Sequence, residues 1–387
     1  MSSRSLAPWQ VIIGGLSGLV LTIGLARFAY TPLLPVMQAQ TGLSDAAAGA
    51  LAAINYAGYM AGAVTVAWLD DVRWRHRLYS AGLWVSLLAT AAMALGPWWL
   101  SWAVWRFLGG LCGATGMLLG SGLVLGWLIS HGRRPELGLH FMGIGLGIVV
   151  SALGAWVLGQ LWMDWSAQWW AFALLGGVFL VPAWCWRPPV PVQTFQTPSD
   201  ANAPHSSLRW QWLLMGSYFA AGWGFVISAT FTVAIVERTE LLAGMGPWIW
   251  CLIGIAAMPA VFLWDRVARR MGDIRALMTA FALLARAFAL SASSNDLWAA
   301  LLGAIGYGAT FIGIVSLTLA LVGRRSPSNP GKAMARLTLS YGAAQIIAPA
   351  LTGVLAQASG SFKSGLWLTT WVLCAGLALL ALLPRDP

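Results

Sequence analysis

Long apolar stretches separated by short polar breaks run the whole length of the chain. A stretch of about 18 to 25 residues, rising 1.5 Å per residue, is enough to cross a hydrocarbon core of roughly 30 Å. Such stretches recur near 10–35, 46–69, 78–95, 99–129, 137–160, 168–186, 211–236, 247–264, 275–291, 297–322, 333–358 and 365–383. The pattern predicts an all-α integral membrane protein with twelve transmembrane helices. One break differs from the others: "RPPVPVQTFQTPSDANAPHSSLRW", 187–210, is rich in proline and polar residues and lacks the apolar residues of a core. It divides the chain into an N-terminal six-helix bundle (1–186), a cytoplasmic Pro-rich linker (187–210) and a C-terminal six-helix bundle (211–387).

The two halves repeat one another. "WLDDVRWRHRL" (68–78), after the second span, and "LWDRVARRMG" (263–272), after the eighth, each place an acid before a basic cluster. "CGATG" (112–116) in the fourth span recurs as "YGATF" (307–311) in the tenth. A repeat of half the chain implies two pseudo-symmetric bundles around a central site.

Composition excludes most other classes. The chain is 59% hydrophobic and only 9% charged, outside the range of a soluble domain. Its net charge of +10 does not point to nucleic acid, because the basic residues form no soluble basic face. Instead they sort by loop. Arg73, Arg75 and Arg77, Arg133 and Arg134, Arg187 and Arg209, Arg266 to Arg275, and Arg324 to Arg336 occupy alternate loops or helix ends, and Arg4 and Arg385 the tails. The opposite side carries Arg238 and Lys363. The positive-inside rule then places both termini in the cytoplasm, in a bacterial inner (plasma) membrane, with the first apolar run kept as an uncleaved helix. Tryptophans such as Trp98, Trp99, Trp162 and Trp165 flank the spans as interfacial anchors. Cys112, Cys185, Cys251 and Cys374 have no paired spacing, so no disulfide framework and no metal site is expected.

Three arginines lie within spans. Arg286 is five residues from the end of the ninth and is expected to snorkel. Arg27 and Arg106 lie eight residues before Pro35 and seven after Trp99, so both sit roughly 10 to 12 Å from the external interface. A membrane-buried arginine costs at least about 2.5 to 3.5 kcal/mol on insertion scales and normally faces water or a partner. The carboxylates fall in loops or at span ends, so a substrate anion is one source of countercharge, and planar guanidiniums match carboxylate or phosphate oxygens in pairs. The alternative is structural: Arg106 bonding carbonyls of the first span, Arg27 snorkelling outward. Around the pair, Tyr30 and Thr31 follow Arg27 at helical spacing, and Asn55 with Tyr59 and Tyr341 with Gln345 repeat an i, i+4 pattern. Trp223, Ser228 and Thr232 in the seventh span and Tyr307 and Thr310 in the tenth complete a candidate polar wall, with interhelical hydrogen bonding as its plainer reading. Sliding the first span onto the seventh sets Val226 opposite Arg27, and Leu301 or Leu302 falls opposite Arg106, so positive charge is confined to the first half. That favours an amphipathic organic anion.

At this point the motifs resemble the major facilitator superfamily over essentially the whole chain. "LWDRVARRMG" is similar to its signature loop, with "DDVRWRHR" a degraded copy in which Val72 and Trp74 replace the usual Arg and Gly. "WRFLGGLCGATG" (105–116) resembles its fourth-helix motif, and "ARFAYTPLLPVM" (26–37) resembles the first-helix signature of the YbfB/YjiJ-type branch. The fifth span lacks the Gly-Pro pair of drug/proton antiporters. The resemblance implies the major facilitator fold, with helices 1, 4, 7 and 10 around a cavity, 2, 5, 8 and 11 flanking it, and 3, 6, 9 and 12 outside. It also implies conformational gating by Asp71, Arg75, Asp265, Arg266, Arg269 and Arg270.

The function expected is secondary active transport of a small organic, anionic and amphipathic solute by alternating access. One alternative is export of drug-like neutral or cationic amphiphiles, with Arg27 and Arg106 structural. The other is an integral-membrane enzyme on lipid-linked substrates, which needs acid/base or metal residues near the interface. His76, His131, His140 and His205 and the scattered carboxylates offer no such constellation. Substrate, bilayer and a coupling proton are the partners considered, for a monomer with no cofactor, no catalytic residue and no nucleic acid. Reporters fused after Arg77, within residues 190–205, and after Arg270 are all expected to read cytoplasm; an external signal from the central segment would remove the two-bundle arrangement.

Overall fold

A computed structural model describes residues 6–69, 71–133, 137–189, 208–325 and 330–383. Most of the linker (190–207), and Arg4, Arg134 and Arg385, lie outside the described residues. The chain separates into two compact units, the first comprising Met1–Leu43 and Ile54–Thr194, the second Ser44–Ala53 and Phe195–Pro387. Among the described residues there is helix and no strand.

The first span is broken into three pieces. α1 (Pro8–Leu19) leads into a π-helical stretch, Val20–Phe28, and α2 (Tyr30–Thr41) follows after Ala29. Its sequence contains the cause. Pro32 and Pro35 cannot donate backbone hydrogen bonds, and their rings crowd the carbonyls four residues earlier. The rest of the first unit is α3 (Asp45–Trp68, from Ile54 onward), α4 (Val72–Ala92), α5 (Trp99–Ser130), α6 (Gly138–Gln160) and α7 (Trp165–Cys185). In the second unit are α8 (Leu208–Glu237), α9 (Gly246–Ala257), α10 (Ala260–Met271), α11 (Asp273–Ser293), α12 (Leu297–Arg325), α13 (Pro330–Ser359) and α14 (Lys363–Ala381).

The expected count of twelve spans needs correction. Among the described residues ten helices are long and apolar enough to cross a membrane, or eleven if α9 and α10, bent by 45°, form one broken span. The bend falls at Pro259, again a missing donor inside an apolar run. α4 falls short because Arg73, Arg75, His76 and Arg77 fill its first turns. Asp71 starts that helix, its carboxylate accepting from the N–H groups of Arg73 at 2.7 Å and Trp74 at 3.1 Å.

Within the bilayer, apolar burial gives no preference for helix over lipid, so close approach of backbones must hold the helices together. Glycine supplies it. Gly58 and Gly62 on α3 lie against the carbonyls of Phe107 and Leu111 on α5, and Gly110 of α5 lies against the carbonyl of Asn55. A Cβ on Gly24 would stand 2.5 Å from the Cα of Gly147 on α6. The second unit repeats these contacts: Gly308 of α12 meets the Ile253 carbonyl of α9, and Gly222 of α8 meets Tyr341 of α13. Asn55 and Ile253, Gly110 and Gly308, and Gly24 and Gly222 are each separated by 198 residues. Packing thereby sets the register of the internal repeat, and it corrects the sequence pairing: Phe225 rather than Val226 is the counterpart of Arg27, and Ala304 rather than Leu301 or Leu302 that of Arg106.

Gly147→Ala places a methyl 2.6 Å from the Cα of Gly24 and is expected to cost about 1–3 kcal/mol by overpacking. Gly159→Ala meets nothing within 4 Å and should leave the thermal midpoint unchanged or slightly raised. Equal midpoints for the two variants would contradict the packing account.

Candidate functional site

In the first unit the two span arginines and their expected neighbours form one buried cluster. Arg27, at the end of the π-helical stretch, is 5% exposed and Arg106 is 3% exposed, so neither snorkels. Arg106 Nη1 donates to the backbone carbonyl of Arg27 at 3.2 Å. Asn55 Nδ2 donates to the carbonyl of Arg106 at 2.6 Å, tying α3 to α5. The guanidinium of Arg27 lies over the rings of Tyr56 and Tyr59, 4.2 and 4.5 Å from their centroids, and that of Arg106 lies 4.3 Å from the centroid of Tyr30. Stacking on π faces stabilises desolvated guanidinium charge. Among the described residues Arg106 Nε has no hydrogen-bond partner, and neither has Asn55 Oδ1, although both are buried. Tyr59 completes the wall by donating to Met117 Sδ at 3.2 Å. Thr31 is buried beside Tyr30 in α2.

Tyr56 belongs to this cluster and was not among the expected residues. It follows Asn55 by one position, off the i, i+4 face, and the π-helical widening turns Arg27 onto both Tyr56 and Tyr59. Tyr30 lies under the guanidinium of Arg106.

In the second unit the expected residues fall along an aromatic row. Tyr341 packs on Tyr218 and Phe225 with centroids 4.6 and 6.0 Å apart, Phe225 on Phe311 at 5.4 Å, and Phe311 on Tyr307 at 5.0 Å. Tyr307 donates its hydroxyl to the carbonyl of Phe225 at 2.9 Å. Phe225 corresponds to Arg27 in the 198-residue register, so the carbonyl matching that of Arg27 is met by a neutral phenol from α12, three residues beyond Ala304, the counterpart of Arg106. Trp223 is buried, with Nε1 unpartnered in the structure, and Gln345 is 3% exposed. The Thr310 hydroxyl is taken by its own helix, donating to the Gly306 carbonyl at 2.6 Å. Ser228 bonds Thr232 at 2.7 Å, and both line a cavity within this unit.

The expected gating residues lie at helix ends. Asp71 caps α4, and Arg75 Nε donates to the carbonyl of Leu69. Beside them, burial and the positive charge of Arg187 lower the pKa of His76, whose Nε2 stands 3.2 Å from the Pro188 carbonyl. Asp265 pairs with Arg269 one turn on in α10, while Arg266 and Arg270 are exposed. An exposed i, i+4 pair contributes little to stability, which leaves Asp265 cheap to re-pair. Arg286 is exposed on α11.

Helices long and apolar enough to cross a membrane, packed through glycine in two repeated units, define a multi-pass membrane protein. The family described as "Uncharacterised MFS-type transporter YbfB" matches residues 19–382, and the chain belongs to that family of the major facilitator superfamily. A curated relative, the "Uncharacterized transporter mfc1" of Schizosaccharomyces pombe (strain 972 / ATCC 24843), is 23% identical over 152 residues, 39% of this chain and 31% of its own. The matched segment thus spans about a third of that relative's length. Among solved structures, a mutant of the nucleoside transporter NupG superposes with a TM-score of 0.75 at 13% identity, covering 98% of this chain and 100% of its own. A bacterial homologue of the human lysosomal transporter Spinster, in an inward-facing and occupied conformation, gives 0.71 at 15% identity, covering 98% and 97%. At these identities the likeness establishes the fold.

Tyr307→Phe removes one interhelical bond and leaves the Phe225 carbonyl without that donor; Asn55→Leu does the same to the Arg106 carbonyl. Each is expected to lower unfolding free energy by about 0.5–1.5 kcal/mol, read as a fall in thermal midpoint. No change in either variant would show that the carbonyls need no side-chain donor.

Proposed function

We propose that the protein is a secondary active transporter for a small organic anion of amphipathic character, moved by alternating access, with Arg27 and Arg106 holding its anionic group. The observation that carries this reading is the bond from Arg106 to the Arg27 carbonyl, which draws two guanidiniums into one buried cluster. Its counterpart in the second unit is a tyrosine. A neutral hydroxyl suffices to bracket the helices, so the guanidinium adds a charge and a donor, Nε, that the bracket does not use. Tyr30, Thr31, Asn55 and Tyr59 shape the site on the first unit; Trp223, Tyr341 and Gln345, with Ser228, Tyr307 and Thr310, are the candidate substrate contacts on the second. The gating roles of Asp71, Arg75, Asp265, Arg266, Arg269 and Arg270, a proton carried by a weak-acid substrate, a monomeric state, and a bacterial inner membrane with both termini cytoplasmic belong to the same reading. The NupG likeness carries no nucleoside specificity to this chain.

A second reading keeps both arginines as helix brackets in an exporter of neutral or cationic amphiphiles; the carbonyl bonds of Arg106 and Asn55 support it. Ligand affinity and thermal stability, measured on the same proteins against a panel of carboxylates, phosphates, cations and neutral amphiphiles, separate the two. On the anion reading, Arg27→Lys and Arg106→Gln fold normally but lose the paired geometry or the charge. Loss of one charge-assisted bond of about 1.5–3 kcal/mol corresponds to roughly ten- to two-hundredfold in affinity. The double substitution should cost less than the sum, since one group cannot be lost twice. Bracketing alone predicts lowered midpoints with unchanged affinity, and a wild-type protein that binds no anion would end the anion reading.

A further inference from the structure

The second unit contains an open cavity of about 420 Å³ lined by its own helices α8, α9, α11, α12 and α14 and by the segments at their ends. Interiors are close-packed, and openings of this size in folded proteins are characteristic of ligand sites: mostly apolar walls with a few placed polar groups. It runs from Ser228 to Arg238 along α8, ten residues or about 15 Å. The wall is zoned along that length. At the inner end the hydroxyls of Ser228 and Thr232 bond each other at 2.7 Å, so this end makes no demand for a charged group. The middle is apolar, formed by Ile249, Ile253, Phe288 and Leu366. The rim carries four charges of balanced sign, Arg238 and Lys363 against Glu240 and Asp296.

The rim is held in place. Arg238 forms a two-point pair with Asp45, at 2.7 and 2.6 Å, within the same unit. Asp296 accepts from the Ser294 hydroxyl at 2.6 Å and from the Ala299 N–H at 2.9 Å. These bonds hold its carboxyl below the usual range, so the rim keeps both signs at neutral pH. With Arg238 already paired to Asp45, a zwitterion can set its anionic group on Lys363 and its cationic group on Glu240 and Asp296, whereas a head group of one sign meets attraction and repulsion together.

We propose that this cavity is a second ligand site, taking an elongated amphiphile of no net charge whose zwitterionic head lies among the rim residues and whose apolar tail reaches Ser228. It is built from the second unit alone and does not need Arg27 or Arg106, although Ser228 and Tyr307 in its wall are also candidate contacts of the transported solute.

The test uses the full chain with its four cysteines replaced, a Ser291→Cys substitution in the cavity wall, and nanodiscs of phosphatidylglycerol, so that the lipid supplies no zwitterion. The probe is octyl betaine, with octanoate and octyltrimethylammonium as single-sign controls. Octyl betaine is expected to slow maleimide labelling at position 291 at least tenfold and to raise the thermal midpoint, with each control at least tenfold weaker. Ala300→Phe, which fills the cavity, should abolish both effects while the midpoint without probe stays near that of the parent. Where that variant fails to fold, Ser228→Leu fills the cavity from its inner end and should do the same. Equal protection by all three probes, protection that survives filling, or a thiol that no reagent reaches would each overturn the proposal.

Discussion

The hydrogen bond from Arg106 to the carbonyl of Arg27 joins the backbone problem of the first span to its chemistry. Hydrocarbon offers no water to backbone carbonyls, so protein groups must supply their donors. Pro32 and Pro35 interrupt the ladder of N–H donors in this span, and the long side chain of Arg106 reaches across from α5 to donate to the Arg27 carbonyl. Arg106 is itself anchored through Asn55, and its charge is spread against Tyr30. Pro32, a distorted helix, two arginines and three tyrosines form one mutually dependent set.

Such reach is available because glycine lets the backbones come close. Gly58, Gly62 and Gly110 bring α3 and α5 together, which is what lets Asn55 meet the Arg106 carbonyl. The second unit has the same contacts at Gly308 and Gly222, and the same side-chain-to-carbonyl bond at Tyr307. Repetition extends to backbone contacts more faithfully than to side chains. Packing restricts which residues can sit at a close approach, whereas a residue facing a cavity is free to diverge in chemistry.

Divergence has given the units different characters. The first concentrates positive charge on aromatic faces; the second replaces it with an aromatic row from Tyr218 to Tyr307 and opens a cavity with balanced rim charges. Arg238 belongs both to that rim and to the pair with Asp45, where Gln357 also accepts from the Ala46 N–H at 3.2 Å. Occupancy of the cavity and the anchoring of the first turn of α3 therefore share a residue.

The sequence by itself determined the helical class, most of the spans, the two-fold repeat and the placing of Arg27 and Arg106 inside apolar spans, because the cost of placing polar groups in hydrocarbon acts residue by residue and leaves a one-dimensional trace. The grouping of Asn55 and Tyr59 was legible for the same reason: helical spacing is local. The third span shows the limit: the apolar run 78–95 has the length to cross, but the helix that forms is Val72–Ala92, which takes in Arg73, Arg75 and Arg77 and so lacks the hydropathy of a span. Only the tertiary structure decided that the first span is π-helical around Arg27, that Tyr56 joins the cluster, that the repeat runs in a register of 198 residues, and that Ser228 and Tyr307 line a cavity within one unit. Each of these depends on which backbone groups lose their local partner and what lies a few ångströms away across a helix contact, a matter of distance between residues remote in the chain that hydropathy does not record.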